Sequence, residues 1–224
     1  MAVKDEKIKK LYSNLKTSYD TYIGLYKGKR VFVKVIKDKK TYDKEIKVAK
    51  RLKNEPGANQ LVTTIKAERV IVYTELKSKT WFQLYDAIKN KKTYENLVKP
   101  VKYKIFDNIR RIMKRFHNIH NIAHHDLKTK NIMFTKSGRV KIIDYDTCKI
   151  FKPNTYDSLD DMVQDWRSLV SIFGNIHFRE SLLNSNITPW SRIYSQGKLD
   201  KDRDLLMAFM KISTEFLDAS RYFV

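Results

Sequence analysis

His124-His125-Asp126-Leu127-Lys128-Thr129-Lys130-Asn131 is followed, 13 positions after its last residue, by Asp144-Tyr145-Asp146. The two pieces set a carboxylate, a lysine, an amide and a second carboxylate at spacings suited to holding metal-bound nucleotide phosphates. Between them lie two apolar, strand-like runs, Ile132-Met133-Phe134 and Val140-Lys141-Ile142-Ile143, around the polar turn Lys136-Ser137-Gly138. That order reads as a loop, a β-hairpin and an acidic metal ligand at the hairpin's end. Chemistry on phosphate is the expectation.

Upstream, residues 22–36 read as two strands about a tight turn at Lys27-Gly28-Lys29, the second strand being rich in β-formers. Ile46, Ala49 and Leu52 share one face of a helix expected over 42–53, which Asn54-Glu55-Pro56-Gly57 ends. Two further strands are expected at 61–66 and 69–76. From about residue 80 the spacing turns helical. Ile105, Ile109, Ile112, Phe116 and Ile119 form an apolar stripe over 101–119, with Lys102, Lys104, Arg110, Arg111 and Lys114 on the opposite face. Past the hairpin, Met162, Trp166, Leu169, Val170 and Phe173 mark a second core helix. Leu205, Leu206, Phe209, Ile212 and Phe216 mark a third at 203–217. The expected fold is α+β and bilobal, one domain in all. Residues 1–76 would form a β-rich N-lobe of five strands and one main helix, and 77–224 a mainly helical C-lobe carrying the loop.

The 224 residues suffice for one domain or two small lobes, and 42% apolar content is enough for a packed core. Residues 1–10 are charged and do not resemble a secretory leader, and no run approaches the roughly 18 apolar residues of a membrane helix. The single cysteine, Cys148, excludes an intramolecular disulfide and suits a reducing, cytoplasmic compartment. The five histidines lack the cysteine partners of a zinc site. Lys and Arg number 46 against 25 Asp and Glu, a net +21 that favours acidic partners such as nucleic acid, anionic lipid, nucleotide or an acidic protein. It is equally read as lysine serving as the common surface residue. Short tracts such as Lys37-Asp38-Lys39-Lys40 are interrupted, unlike a dedicated nucleic-acid arm.

The pattern H-x-D-L-K-x-x-N is met at His124, Asp126, Leu127, Lys128 and Asn131, and in this the chain resembles the eukaryotic-type protein kinase family. The resemblance covers roughly residues 10–175 and implies ATP and Mg²⁺ as cofactors and a protein substrate. It makes Asp126 the residue that orients the substrate hydroxyl and accepts its proton. Lys128 would neutralise the γ-phosphate, and Asn131 and Asp144 would hold magnesium. Val31-Phe32-Val33-Lys34 is similar to the family's V-A-I-K, so Lys34 is expected on the α- and β-phosphates, with Glu45, 11 positions on, as its partner. Lys34 interrupts an apolar strand run, and its charge needs a partner. Read alone, Lys34 is equally a solvated edge-strand lysine, and Glu45, beside Lys44 and Lys47, equally plain surface. Asp165-Trp166-Arg167-Ser168-Leu169 is similar to the helix start that anchors the catalytic loop, which makes Asp165 a cap for loop N–H groups. Tyr73-Thr74-Glu75-Leu76 falls where the hinge would run. Backbone groups of Glu75 and Leu76 would meet adenine, and Tyr73 would guard the back of the pocket.

Four departures from the family pattern stand out. The stretch 16–23, Lys16-Thr17-Ser18-Tyr19-Asp20-Thr21-Tyr22-Ile23, holds no glycine where the family has a Gly-rich loop. Ser18 and Ile23 are nevertheless assigned to ATP by position, with hydroxyls of Thr17, Ser18 and Thr21 and the charge of Lys16 in place of close backbone approach. Tyr145 and Asp146 replace the phenylalanine and glycine of D-F-G. Asp146 either adds a carboxylate to the metal site or disfavours nucleotide by like charge. His125 stands where an arginine usually reads a phosphorylated activation loop, either as a pH-sensitive group or as a packed neutral ring. Asp144 and Asp165 are only 21 positions apart, with no A-P-E between them.

The leading expectation is a minimal Ser/Thr protein kinase, Ser/Thr resting on Lys128 at +2 from Asp126, which with so short an activation segment either recognises its protein substrate in another way or relies on an activating partner. The alternatives are a catalytically weak binding or scaffolding module for an acidic protein or nucleic acid, and an atypical ATPase. Reduced kinases of this kind occur among viral and bacterial-effector proteins, which would place the chain in a host cytoplasm.

Overall fold

The computed structural model describes residues 8–12, 19–77, 79–153 and 155–177. Its first part is β1 (Lys9–Tyr12), β2 (Asp20–Tyr26), β3 (Lys29–Val35), helix α1 (Lys39–Arg51), β4 (Leu61–Ile65) and β5 (Val70–Thr74). The strands form one antiparallel sheet in the order β1-β2-β3-β5-β4. The β2–β3 hairpin turns through Lys27 at φ 50° and Gly28 at φ 73°, the paired positive φ values that match the twist of two-residue hairpins. β2 starts at Asp20, so the second half of stretch 16–23 is strand rather than loop, and Thr21 is buried opposite Lys34 in register. Ser18 lies outside the described residues.

Alternation along β3 separates two faces. Val31 and Val33 pack with Val70 and Val72 in a small cluster on one side. Lys34 and Phe32 are on the other side, which faces α1. α1 starts at Lys39, three residues before the apolar spacing suggests, because the Asp38 side chain accepts from Thr41 N at 2.6 Å. This N-cap extends the helix past its first apolar residue. Tyr42, Glu45, Ile46, Val48 and Ala49 form its buried face.

The second part contains β6 (Phe82–Gln83), α2 (Leu84–Lys89), α3 (Lys91–Thr93), α4 (Lys102–Asn118), β7 (Ile122–Ala123), β8 (Ile132–Phe134), β9 (Val140–Ile142), β10 (Lys149–Ile150) and α5 (Tyr156–His177). Two small sheets, β6-β8-β9 and β10-β7, frame the loop 124–131. Ile105, Ile109, Ile112 and Phe116 of the expected α4 stripe are buried, joined by Met113, and Phe106 meets Phe173 of α5 at 4.6 Å between centroids. Ile119 departs from that expectation and is 58% exposed. The helix ends at Asn118, and the left-handed turn at Asn121 (φ 50°) redirects the chain into β7. α4 also joins the two parts. Gly57 lies against Ile112 so closely that a Cβ there would collide with it. The buried Glu55 carboxylate lies 2.8 Å from Arg115 Nε and 3.1 Å from His120 Nε2. The fold is α+β, a β-sheet region followed by a mainly helical one. Among the described residues, no helix is long and apolar enough to cross a membrane. The helix expected at 203–217 lies outside them.

Candidate active site

Residues 124–128 form no regular structure, so their shape depends on what accepts their backbone N–H groups. Asp165 of α5 does so: its Oδ2 accepts from His124 N at 2.7 Å and its Oδ1 from His125 N at 2.9 Å. The same Oδ2 lies 2.9 Å from His117 Nε2 of α4. Asp165 is fully buried. Burial pushes its carboxyl up, but the contacts with His117 and His124 more than offset this and hold it below the ordinary carboxylate value. Asp165 therefore caps the loop, the supporting role its motif predicts. His125 takes φ 62°, a left-handed conformation that costs a non-glycine residue about 1–3 kcal/mol and needs such outside support.

His124 is buried, its Nε2 is 3.2 Å from Ile143 O, and its Nδ1 has no hydrogen-bond partner among the described residues. Burial lowers its pKa and keeps the ring neutral. Lys128 Nζ is 2.5 Å from Asp126 Oδ2. Asn131 Nδ2 donates to Asp126 O at 2.9 Å and to Asp126 Oδ2 at 3.0 Å. These contacts leave Asn131 Oδ1 as the atom suited to a cation.

Lys34 reaches the same region from β3. Its Nζ is 2.9 Å from Glu45 Oε2 on α1 and 2.7 Å from Asp144 Oδ1 after β9. Lys34 is 4% exposed, so burial alone would lower its pKa, yet Glu45 and Asp144 together raise it and hold the ammonium charged. Burial pushes the Glu45 carboxyl up, with Lys34 pulling the other way. Asp144 sits at φ 68°, left-handed like His125, with its side chain about a third exposed.

Sequence reasoning missed three features here. Tyr73, read as a bulky guard, also donates its hydroxyl to Glu45 Oε1 at 2.8 Å, so both carboxylate oxygens are engaged. Tyr145 is buried, donates to Ile142 O at 2.8 Å, receives Asn59 N at 2.5 Å and meets Tyr73 edge-on at 6.0 Å. Tyr19 donates to Asp146 Oδ2 at 2.6 Å and lays its ring 4.2 Å from Lys34 Nζ. Burial, then Asp146, push the Tyr19 phenol up to about 12. A hydroxyl or a ring at each of these positions was visible in sequence, but its partner was not.

The remaining assigned residues are placed as follows. Glu75 and Leu76 follow β5 outside any strand, and the Glu75 carboxylate pairs both oxygens with Arg30 at 2.7 Å. Ile23 is buried on β2, opposite Phe32. His125 Nε2 lies 3.0 Å from Asp161 Oδ1, and Lys149 Nζ lies 2.9 Å from Asp161 Oδ2.

The family model described as the protein kinase domain matches residues 21–167, more than half of the chain. No curated protein matches significantly. Among solved structures, the kinase PK-1 of Cydia pomonella granulovirus is similar at a TM-score of 0.62 and 20% identity, over 76% of this chain and 70% of that one. At that identity the likeness concerns the fold. Loop, sheet and family match agree, and the chain belongs to the protein kinase domain family.

Proposed function

We propose that the chain is a minimal ATP- and Mg²⁺-dependent Ser/Thr protein kinase, with an N-lobe of residues 1–76 and a C-lobe of 77–224, acting in a reducing, intracellular compartment. One observation carries the reading: Lys34 bridges Glu45 and Asp144 while Asp126, Lys128 and Asn131 stand in mutual contact. A scaffold needs none of these residues, and the bridge spends a desolvated ammonium on two carboxylates.

In this reading the substrate hydroxyl donates toward Asp126, which accepts its proton as the oxygen bonds to the γ-phosphorus and the bond to the β,γ-bridging oxygen breaks. Lys128 lies against the charge that gathers on the transferred group. Lys34 holds the α- and β-phosphates, and Glu45 fixes the direction of its ammonium. Asp144 and Asn131 supply oxygen donors, the ligand type a hard Mg²⁺ takes. Among the described residues no group of three or more His, Cys, Asp or Glu gathers as a metal site, so waters and phosphate oxygens would have to complete the ion's coordination. When bound, the ion neutralises phosphate charge. Glu75 and Leu76 would meet adenine through their backbone, beside Ile23, and Ser18 the phosphates.

Independence from activation-loop phosphorylation is supported at Asp161. Its carboxylate lies between His125 and Lys149, so the two basic groups that could read a phosphate already face an internal acid. Tyr19 favours the second reading, a catalytically weak binding module, because its ring and hydroxyl contact Lys34 and Asp146.

The deciding experiment incubates the full chain with labelled ATP, Mg²⁺ and protein substrates, beside Asp126→Ala and Lys34→Ala. Label on serine or threonine, lost in both variants, is expected. Label released only as free phosphate identifies an ATPase, and no turnover with nucleotide still binding leaves the binding module.

A further inference from the structure

The outer face of α1 is a line of cations that the chain's own acids leave unanswered. At about 100° per residue, Lys40, Lys44, Lys47 and Arg51 fall within about 60° of arc, opposite the buried face that holds Glu45 and Ile46. At about 1.5 Å per residue the line runs about 16 Å along the helix. Lys39 and Lys50 are exposed along its edge, and Asp43 is the one exposed acid on α1. In the sequence these cations are interrupted by apolar residues, but the helical period sets them on one side. None of the four forms an ion pair with an acid among the described residues. Lys44 Nζ donates to Thr147 O at 3.0 Å, and the side chains of Lys40, Lys47 and Arg51 make no hydrogen bond among those residues.

Such a face stands against local energetics. Like charges four residues apart, as in Lys40/Lys44 and Lys47/Arg51, destabilise a helix, and Lys39 and Lys40 add positive charge to its positive end. The Asp38 cap and the packed inner face offset that cost. The other basic helix, α4, is different. Arg110 and Arg111 share Asp107 at 3.1 and 2.8 Å, and Arg115 meets Glu55 at 2.8 Å. Those arginines are neutralised from within, so of the two basic helices α1 is the one that offers its charge to an outside anion.

We propose that Lys40, Lys44, Lys47 and Arg51 bind the phosphate backbone of a nucleic-acid duplex without reading its bases. A duplex carries one negative charge per about 1.7 Å of axis, so a line about 16 Å long meets several phosphates at once. A row of Lys and Arg along one helix face is the electrostatic footprint of such binding, and the chain's net +21 adds long-range attraction. An acidic protein matches less well, because protein interfaces centre on apolar or aromatic groups and are poor in lysine, and no exposed residue of α1 is apolar. The same face gives a membrane nothing to bury and a single strand nothing to stack on. The line and the Lys34–Glu45 pair lie on opposite sides of the helix, and the inference is independent of the kinase reading.

The test follows the anisotropy of a short fluorescent DNA duplex titrated with the full chain at several salt concentrations. The slope of log affinity against log salt should be at least about −3, at about −0.9 for each phosphate engaged. Lys40→Glu/Lys47→Glu/Arg51→Glu should weaken binding at low salt more than about tenfold and make the slope shallower by about 3. Lys92→Glu/Lys136→Glu/Lys152→Glu changes the net charge equally at exposed lysines on other elements, and should weaken binding less than about threefold. No salt-dependent binding, an α1 variant with the parent's slope, or equal losses in the two triple variants overturns the inference. So does tighter, α1-dependent binding of phosphatidylserine vesicles, of a single strand or of polyglutamate, each of which identifies a different occupant. If the reversed variant does not fold, Lys40→Gln/Lys47→Gln/Arg51→Gln carries the same test, with a shallower slope expected and the parent's slope overturning it. Phosphoryl transfer is decided separately by Asp126→Ala.

Discussion

Asp165 supports the catalytic loop from a fully buried position, with two backbone N–H groups and an imidazole in contact, whereas Tyr19, at the start of β2, meets Asp146 through one phenol. The loop side is over-determined: removing any one contact leaves others, and the strained φ of His125 is sustained. The stretch 16–23 holds no glycine to bring backbone close to a ligand, and in the proposed reading the Tyr19 ring would have to move for phosphates to reach Lys34. In the proposed reading, the loop that aligns the hydroxyl is held by more hydrogen bonds than the edge that would meet nucleotide.

The comparison breaks most severely at Asp165. Asp165→Ala leaves two loop N–H groups without their acceptor and a buried imidazole without its partner. A loss of about 3–5 kcal/mol in denaturant unfolding is expected. Tyr145→Phe comes next, because it removes the hydroxyl's bonds to Ile142 O and Asn59 N, which remain paired with each other at 3.2 Å. About 1 kcal/mol should be lost, read from the same curves. Tyr73→Phe should lower stability by about 1 kcal/mol and, more tellingly, move the acid limb of the pH–rate profile upward. Without the phenol, Glu45 keeps its burial cost but loses a donor that favours the carboxylate. Tyr19→Phe should leave unfolding within about 0.5 kcal/mol of the parent, yet change the KM for ATP. An unchanged KM would place the phenol outside the nucleotide's path.

The mildest test is pH. His124 is neutral when folded because burial lowers its pKa, so unfolding takes up a proton below about pH 6.5. Stability should therefore decline as pH falls from about 6.5 toward the lowered folded value, and a chain carrying His124→Gln should lack that slope.

Much of this was legible in sequence wherever the signal was local. The spacing from His124 to Asp146 named the loop and hairpin, and the Asp165 motif named the cap. Asp38, three residues before Thr41, is a helix start that apolar spacing does not report. The stripe of α4 led one residue too far, to Ile119, because periodicity does not report where a helix ends. The hydroxyl partners of Tyr73 and Tyr19 lie 28 and 127 positions away, and side-chain chemistry does not specify contacts at such separations until the sheet and helix have packed.

The Tyr145 hydroxyl has a pharmacological consequence. A phenylalanine at this position could swing out of the interior at the expense of packing alone, but Tyr145 would also abandon Ile142 O and Asn59 N. Asn59 N and Ile142 O keep each other at 3.2 Å, so at about 1 kcal/mol for the lost bonds an outward population would fall roughly fivefold, and a compound that requires it would lose about fivefold in apparent affinity. Compounds that accept the ring as it lies are exempt from that penalty, and Tyr145→Phe should restore the others.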